Sequence, residues 1–257
     1  MSETIMEHGM TEAVQLTEHG GGVVQITMQD RSEKNTFSHA LVGGLIEVYA
    51  RIAARPDYKA VVLTGYDTYF ASGGTQQGLL AIHEGKMTFA DVNMYSLALD
   101  CPIPVVAAMQ GHGIGGGFVM GLYSDIVLLS RESIYTTNFM KYGFTPGMGA
   151  TAVVPYRLGE TLAHEMLMTA ANFRGAELER RGVACQVLPR AEVLPRALDI
   201  AAGLAQKPRE ALVLLKRHMT RALRERLPQC ISEEIAMHEH TFHQQAVADR
   251  IATAFGR

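Results

Sequence analysis

The stretch Pro104-Val-Val-Ala-Ala-Met-Gln-Gly-His-Gly-Ile-Gly-Gly-Gly-Phe118 decides the fold, because an apolar, β-rich run passes directly into a glycine loop. Phe118-Val-Met-Gly-Leu-Tyr-Ser124 then reads as the start of a helix, so strand, loop and helix N-terminus follow one another. Glycines at 111, 113, 115, 116 and 117 let the backbone approach a ligand closely. The first amides of the helix have no partner within it and can donate to an anion. The loop is where this chain is expected to hold negative charge.

Three readings of the loop compete. Gly111-x-Gly113-x-x-Gly116 matches a dinucleotide fingerprint, with Asp125-Ile-Val-Leu-Leu-Ser130 and Glu132 imitating the second strand and its ribose-binding acid. The helix between them is short for such a unit, and the motif begins beyond residue 100 instead of opening a domain. The second reading is an oxyanion hole, in which backbone N–H groups meet a thioester oxygen that becomes negative. It requires another glycine-containing amide site, and Tyr69-Phe-Ala-Ser-Gly-Gly-Thr-Gln76, after the strand Ala60-Val-Val-Leu-Thr-Gly65, supplies one. The third reading makes both loops tight turns without a ligand.

Around these loops the chain alternates strands and helices. Val23–Met28 is predicted as a strand, and Ser38 as the N-cap of a helix with the stripe Leu41, Leu45, Val48 and Ile52, ended by Pro56. Residues 70–76 are read as a loop, Met87–Leu99 as a helix, and Asp125–Ser130 and Ile134–Thr137 as strands. Helices from Glu160 and Gly175 precede a last strand at Cys185–Pro189. The fold class is therefore α/β with largely parallel pairing. After Pro195 no strand pattern follows; Lys207-Pro-Arg209 separates two helices and Leu227-Pro228 is expected to start a third. We place a core at 1–195 and a helical region at 196–257.

With 257 residues, 47% of them hydrophobic, the chain can bury a large core. A net charge of −3 gives no basic field, which argues against nucleic acid as a main partner. Cys101, Cys185 and Cys230 are too widely spaced for a metal knuckle and odd in number for a disulfide framework, so they read as buried thiols in a reducing cytosol. Met1–Met10 lacks a signal-peptide pattern and no apolar run approaches a membrane span. The expectation is a cytoplasmic protein with no membrane partner.

Near the C-terminus Ile231, Ile235, His238 and Phe242 share one helical stripe, so His238 stands where a leucine is expected. It is either a satisfied core residue or a catalytic acid. His240 projects to the opposite face and His243 lies well off the stripe. The cluster lacks a carboxylate or cysteine at a ligand spacing, so no metal site is assigned.

Phe70-Ala-Ser-Gly-Gly74, Gly111-His-Gly-Ile-Gly-Gly-Gly117 and Phe144-Thr-Pro-Gly-Met-Gly-Ala-Thr151 together resemble the enoyl-CoA hydratase/isomerase (crotonase) superfamily across essentially the whole chain. Met28-Gln-Asp-Arg31, Ala108–His112, Asn138–Gly147 and Met237–His243 resemble one subgroup, the decarboxylases of bacterial polyketide β-branching (HMG-synthase) cassettes. The resemblance implies a spiral of ββα units with C-terminal helices that cover the site and help build homotrimers or hexamers. It places the oxyanion amides at Gly74 and Gly116. The two glutamates by which hydratases activate water fall on Val119 and Phe139, neither of which transfers a proton. These two are expected to wall the substrate pocket, though both residues also suit plain core.

The subgroup implies decarboxylation of 3-methylglutaconyl thioester on an acyl carrier protein to a 3-methylcrotonyl-type thioester through a dienolate, with no cofactor beyond the carrier's phosphopantetheine. It makes the histidine at position 238 catalytic. It also implies a carboxylate-binding lysine after the first oxyanion loop, for which the candidate is Lys86, with Gln76, Gln77 and His83 as pocket alternatives. Arg31 and Lys34 are candidates for the phosphopantetheine phosphate, and His112 for bracing the glycine turn. The rival readings are an enoyl thioester isomerase, a non-catalytic acyl-thioester-binding scaffold and, more distantly, a nicotinamide-binding protein.

Overall fold

The structure is a computed structural model that describes residues 12–255, so the N-terminal segment read above lies outside the described residues. In chain order its elements are β1 (Val14–Glu18), β2 (Val23–Met28), α1 (His39–Ala53), β3 (Ala60–Thr64), β4 (Tyr69–Ala71), α2 (Gln76–His83), α3 (Leu97–Asp100), β5 (Val105–Met109), β6 (His112–Ile114), α4 (Gly116–Leu122), β7 (Ile126–Ser130) and β8 (Ile134–Thr136). There follow α5 (Phe139–Tyr142), α6 (Ala150–Leu158), α7 (Glu160–Thr169), β9 (Phe173–Arg174), α8 (Gly175–Arg180), β10 (Gln186–Leu188), α9 (Arg190–Ala205), α10 (Arg209–Met219), α11 (Arg221–Thr241) and α12 (Gln245–Phe255).

Two sheets share the strands. The larger runs β1-β2-β3-β5-β7-β10, and the smaller β4-β6-β8-β9. Each turn of the chain gives one strand to each sheet and then a helix: β3, β4, α2; β5, β6, α4; β7, β8, α5. That is the expected spiral of ββα units. Pairing is parallel throughout except for β1 with β2 and β8 with β9.

The large sheet is covered on both faces, which explains why its strands read as unbroken apolar runs. Val61, Leu63, Val105, Ala107, Val127 and Leu129 point into the main core with Phe70, Phe118 and Tyr123. Their alternate neighbours Ala60, Val62, Val106, Ala108 and Leu128 meet Val193, Ala197, Ala201 and Ala205 of α9. The boundary expected between 195 and 196 therefore falls inside α9, a helix laid on the central sheet.

Several local expectations are corrected. The segments read as the loop at 70–76 and the glycine loop each begin with a three-residue strand, β4 and β6, that build the second sheet by pairing with each other. The helix expected over Met87–Leu99 is reduced to Leu97–Asp100. Thr88 donates through both its N–H and its hydroxyl to Asp91, at 2.7 and 2.8 Å, and the Ser96 hydroxyl donates to Asn93 at 3.0 Å. Such short polar side chains compete with the helical ladder. Pro228 does not start a helix but lies within α11. Its face is exposed, so the carbonyl it deprives of a donor can turn to water, while Leu223, Leu227 and Cys230 hold the helix to the core.

Candidate active site

The two glycine loops meet. Thr36 bridges to Gly73, the Phe37 N–H donates to the Gly73 carbonyl at 2.7 Å, and the Ser72 N–H donates to the Asn35 carbonyl at 2.9 Å. Gly73 takes φ +79°, and a Cβ there would also lie 2.9 Å from the Ile114 carbonyl oxygen and 3.4 Å from the Gly116 nitrogen. Gly116 also requires glycine: a Cβ would lie 2.6 Å from Met148 Sδ and 2.8 Å from Phe37 Cε2. The N–H groups of Gly74, half-buried, and Gly116, buried at the first position of α4, bond to no acceptor among the described residues. Two donors on adjoining loops are the arrangement that stabilises an oxyanion.

Asn35 and Asp30, which sequence reasoning missed, hold this junction. Asn35, fully buried with φ +54°, donates to the Met28 and Phe70 carbonyls at 3.0 and 2.9 Å and accepts from the Asp30 N–H at 2.8 Å, tying β2 to β4. Asp30 accepts from the hydroxyls of Ser38 and Ser32 and from the Glu33 N–H. Burial acts to raise its pKa, and these bonds overcome that, holding the carboxyl below its ordinary value. The visible signal was a clustered Asp-x-Ser before a predicted helix cap.

Val119 stands in the first turn of α4, three residues beyond Gly116 and fully buried, and Phe139 opens α5, also buried. Phe139 meets Phe144 edge-on at 6.2 Å between centroids, and Phe144 meets His238 at 6.5 Å. His238 itself is 5% exposed, on α11 among Phe89, Phe144 and Phe242. Its Nε2 lies 2.9 Å from the Thr145 carbonyl and 3.1 Å from that of Pro146, so Nε2 carries the hydrogen. In the neutral ring Nδ1 is then the free acceptor. Burial lowers the pKa and outweighs the two carbonyls, so His238 is neutral at pH 7.

The buried stripe of α11 differs from the one read in sequence. It is Leu223, Leu227, Cys230, Glu234 and His238, while Ile231 and Ile235 are half-buried. Glu234, 1% exposed, is a further missed residue; it accepts from Gly149 N–H at 2.7 Å and from the N–H and hydroxyl of Thr151 at 2.9 and 2.7 Å. Burial pushes its carboxyl up despite these bonds.

The remaining candidates are more dispersed. Lys86 is 70% exposed and pairs with Glu84, so the structure does not bring its ammonium to the glycine loops. Gln76 is the first residue of α2, half-buried, and Gln77 is exposed. His83 is engaged elsewhere: its Nδ1 lies 2.8 Å from the Phe242 carbonyl, while Nδ1 of His243 lies 2.7 Å from the His83 carbonyl. These reciprocal bonds clasp the end of α2 to the α11–α12 corner. Arg31 bonds Asp67 at 2.8 Å and covers the Tyr66 ring at 4.5 Å, whereas Lys34 is exposed beside Ser72, whose hydroxyl donates to its carbonyl. His112 Nδ1 accepts from the Ile134 N–H at 2.9 Å and braces β6 against β8; burial, then Arg190 and Arg174, lower its pKa. His240 is exposed, and no cluster of three His, Cys, Asp or Glu among the described residues could hold a metal ion.

The chain and its fold have known counterparts. The chain is 58% identical to the bacillaene synthase decarboxylase PksI of Bacillus subtilis (strain 168), over 98% of this chain and 100% of that protein. Among solved structures it superposes with a TM-score of 0.94, at 59% identity over 95% of this chain and 100% of the other, on a protein from a dehydratase/decarboxylase enzyme couple involved in polyketide β-branching. The ECH2 decarboxylase domain of CurF from Lyngbya majuscula gives 0.90 at 44% identity, over 95% of this chain and 99% of that one. Residues 18–255 match the family model for enoyl-CoA hydratase/isomerase, and the chain belongs to that family.

Proposed function

We propose that this protein is a β-branching decarboxylase that converts 3-methylglutaconyl thioester, carried on an acyl carrier protein, into a 3-methylcrotonyl-type thioester and CO2. The observation that carries the reading is the union of two free backbone donors, Gly74 and Gly116, with apolar Val119 and Phe139 at the positions where the family's hydratases keep acids. The likeness to PksI and to the CurF domain supports the same reaction class.

Breaking the bond to the terminal carboxylate sends its electron pair through the conjugated double bond to the thioester oxygen, where the two amides stabilise the charge. An apolar wall strips hydration from the carboxylate and costs the neutral CO2 little, which lowers the barrier. One proton must then be delivered to carbon. His238 is neutral in the free protein; the arriving substrate anion favours its protonation, and Nδ1 is the nitrogen available to carry that proton. Lys86 exchanges Glu84, a solvated partner, for the substrate carboxylate. Lys34, beside the first loop, meets the phosphopantetheine phosphate with Arg31 behind it.

Self-association belongs to the same reading. Leu214, Leu215 and Met219 of α10 are 58%, 55% and 65% exposed in the single chain, an apolar face suited to a homotrimer or hexamer. A cytoplasmic location fits the three free cysteines, and no helix among the described residues is long and apolar enough to cross a membrane.

Mass spectrometry of 3-methylglutaconyl carrier protein incubated with the protein tests the proposal. Loss of the mass of CO2 is expected; a shift of the double bond without mass loss would support an isomerase instead, and binding without change a silent scaffold.

A further inference from the structure

We infer that Glu234 is a positioning residue for the site: its carboxylate fixes the turn 147–151, whose Gly147 and Met148 form the wall between His238 and the Gly116 amide. The inference rests on the thioester-binding reading above and adds a residue to it.

One helix grips this turn at both ends. His238 meets the carbonyls of Thr145 and Pro146, and Glu234, one helical turn earlier, receives the N–H groups of Gly149 and Thr151 and the Thr151 hydroxyl. From the opposite side the Tyr123 hydroxyl donates to the Met148 carbonyl at 2.8 Å. Between these anchors the backbone is unusual: Met148 and Gly149 both take left-handed conformations, φ +66° and +70°. A side chain on residue 149 would collide with the Tyr123 hydroxyl and with Leu227 Cδ1, so the turn requires glycine there.

The held turn touches both halves of the site. Met148 Sδ lies 2.6 Å from the point a Cβ on Gly116 would occupy, and His238 Cε1 lies 2.8 Å from the corresponding point on Gly147. Displacing the turn therefore moves the surface packed against Gly116 and the backbone that lies beside the imidazole. The carboxylate supplies acceptors to three donors at once, and two of those are the first unpaired amides around the start of α6. An amide side chain cannot replace it without aiming its own N–H at another donor.

The test is Glu234→Gln, read by steady-state kinetics and by the carbonyl stretch of bound 3-methylcrotonyl thioester, which reports oxyanion-hole polarisation without turnover. In the wild type the stretch is expected to shift to lower frequency on binding. In Glu234→Gln that shift should shrink and kcat should fall roughly 10–100-fold, with KM changed by less than about threefold. Thr151→Val, which removes one of the donors and keeps the backbone, should move both readouts in the same direction by less. A folded Glu234→Gln with an unchanged stretch overturns the inference, whether or not its melting temperature falls. If Glu234→Gln does not fold, Thr151→Val decides, and an unchanged stretch and kcat there overturn it. A wild type that shows no carbonyl shift sinks the oxyanion reading itself, a different failure from a shift that survives in Glu234→Gln.

Discussion

The two glycine loops and helix α11 contribute opposite kinds of chemistry. The loops present backbone N–H groups, placed by the parallel register of β4 with β6 and by Asn35 tying β2 to β4. Their donors survive any change of side chain that leaves the backbone in place. Helix α11 presents side chains, His238 and Glu234, whose placement depends on docking one helix against the turn 145–151. In the proposed mechanism the spiral core sets where charge is stabilised, and the C-terminal region sets what happens to the proton.

The largest expected effect breaks the second half and spares the first. His238→Ala should lower turnover by roughly 10²–10⁴-fold while thioester binding changes little, because the proposed mechanism assigns the carbonyl to Gly74 and Gly116, whose N–H groups bond to no acceptor among the described residues. His240→Ala, on the exposed face, is the internal control. Binding isotherms and CO2 release measured on the same preparations check this. A stable His238→Ala that releases CO2 at the wild-type rate would remove the imidazole from the mechanism.

The complementary change damages the loops. In Gly116→Ala the added methyl meets Met148 Sδ and Phe37 Cε2 well inside contact distance, so these side chains or the start of α4 must shift, and the surface around the first N–H changes with them. Turnover should drop roughly 10²–10³-fold, the loss typical of one oxyanion donor. Here binding should weaken too, in contrast to His238→Ala. Equal kinetic signatures for the two variants would dissolve the distinction between them.

Which half was legible in the sequence follows from the same contrast. The strands β3, β5 and β7 were readable because both of their faces are buried, leaving continuous apolar runs, and α1 because Ser38 caps it and its stripe is regular. The meeting of the two glycine loops was inferred from motif resemblance; β4 and β6 themselves are too short to show a period of two. In α11 the apolar stripe through Ile231 and Ile235 concealed the buried one through Cys230 and Glu234, because a glutamate reads as solvated unless its partners are known. Those partners are backbone amides more than 80 residues away in the chain, which no local pattern announces. The exposed Lys86 shows the converse: a resemblance places a residue on a segment without showing which partner its ammonium holds, here Glu84.

Association sharpens the comparison for the C-terminal region as a whole. If α10 presents its apolar face to a second copy, Leu215→Glu combined with Met219→Glu should shift the assembly toward monomer, with thermal stability of the isolated fold nearly unchanged because both side chains are exposed. Light scattering at micromolar concentration is the measurement. A wild type that is already monomeric would refute the trimer.

The smallest effect is a stability slope. Burial holds the folded-state pKa of His238 below its ordinary 6.5, with the Thr145 and Pro146 carbonyls and Glu239 acting to raise it and His243 to lower it. In the interval between the folded value and 6.5 the unfolded chain binds more protons than the native one. Stability from this group is therefore present above pH 6.5 and is lost as pH falls through the interval, at no more than about 1.4 kcal/mol per pH unit. Urea denaturation between pH 7.5 and 5 should show that wild type loses stability more steeply than His238→Gln, whose side chain carries no charge at either end. The same lowered pKa predicts that kcat/KM declines on the alkaline side at lower pH than kcat, since the bound substrate anion favours the protonated imidazole. If wild type and His238→Gln lose stability in parallel over that range, the imidazole is not buried in its neutral form and the proton route drawn through it fails.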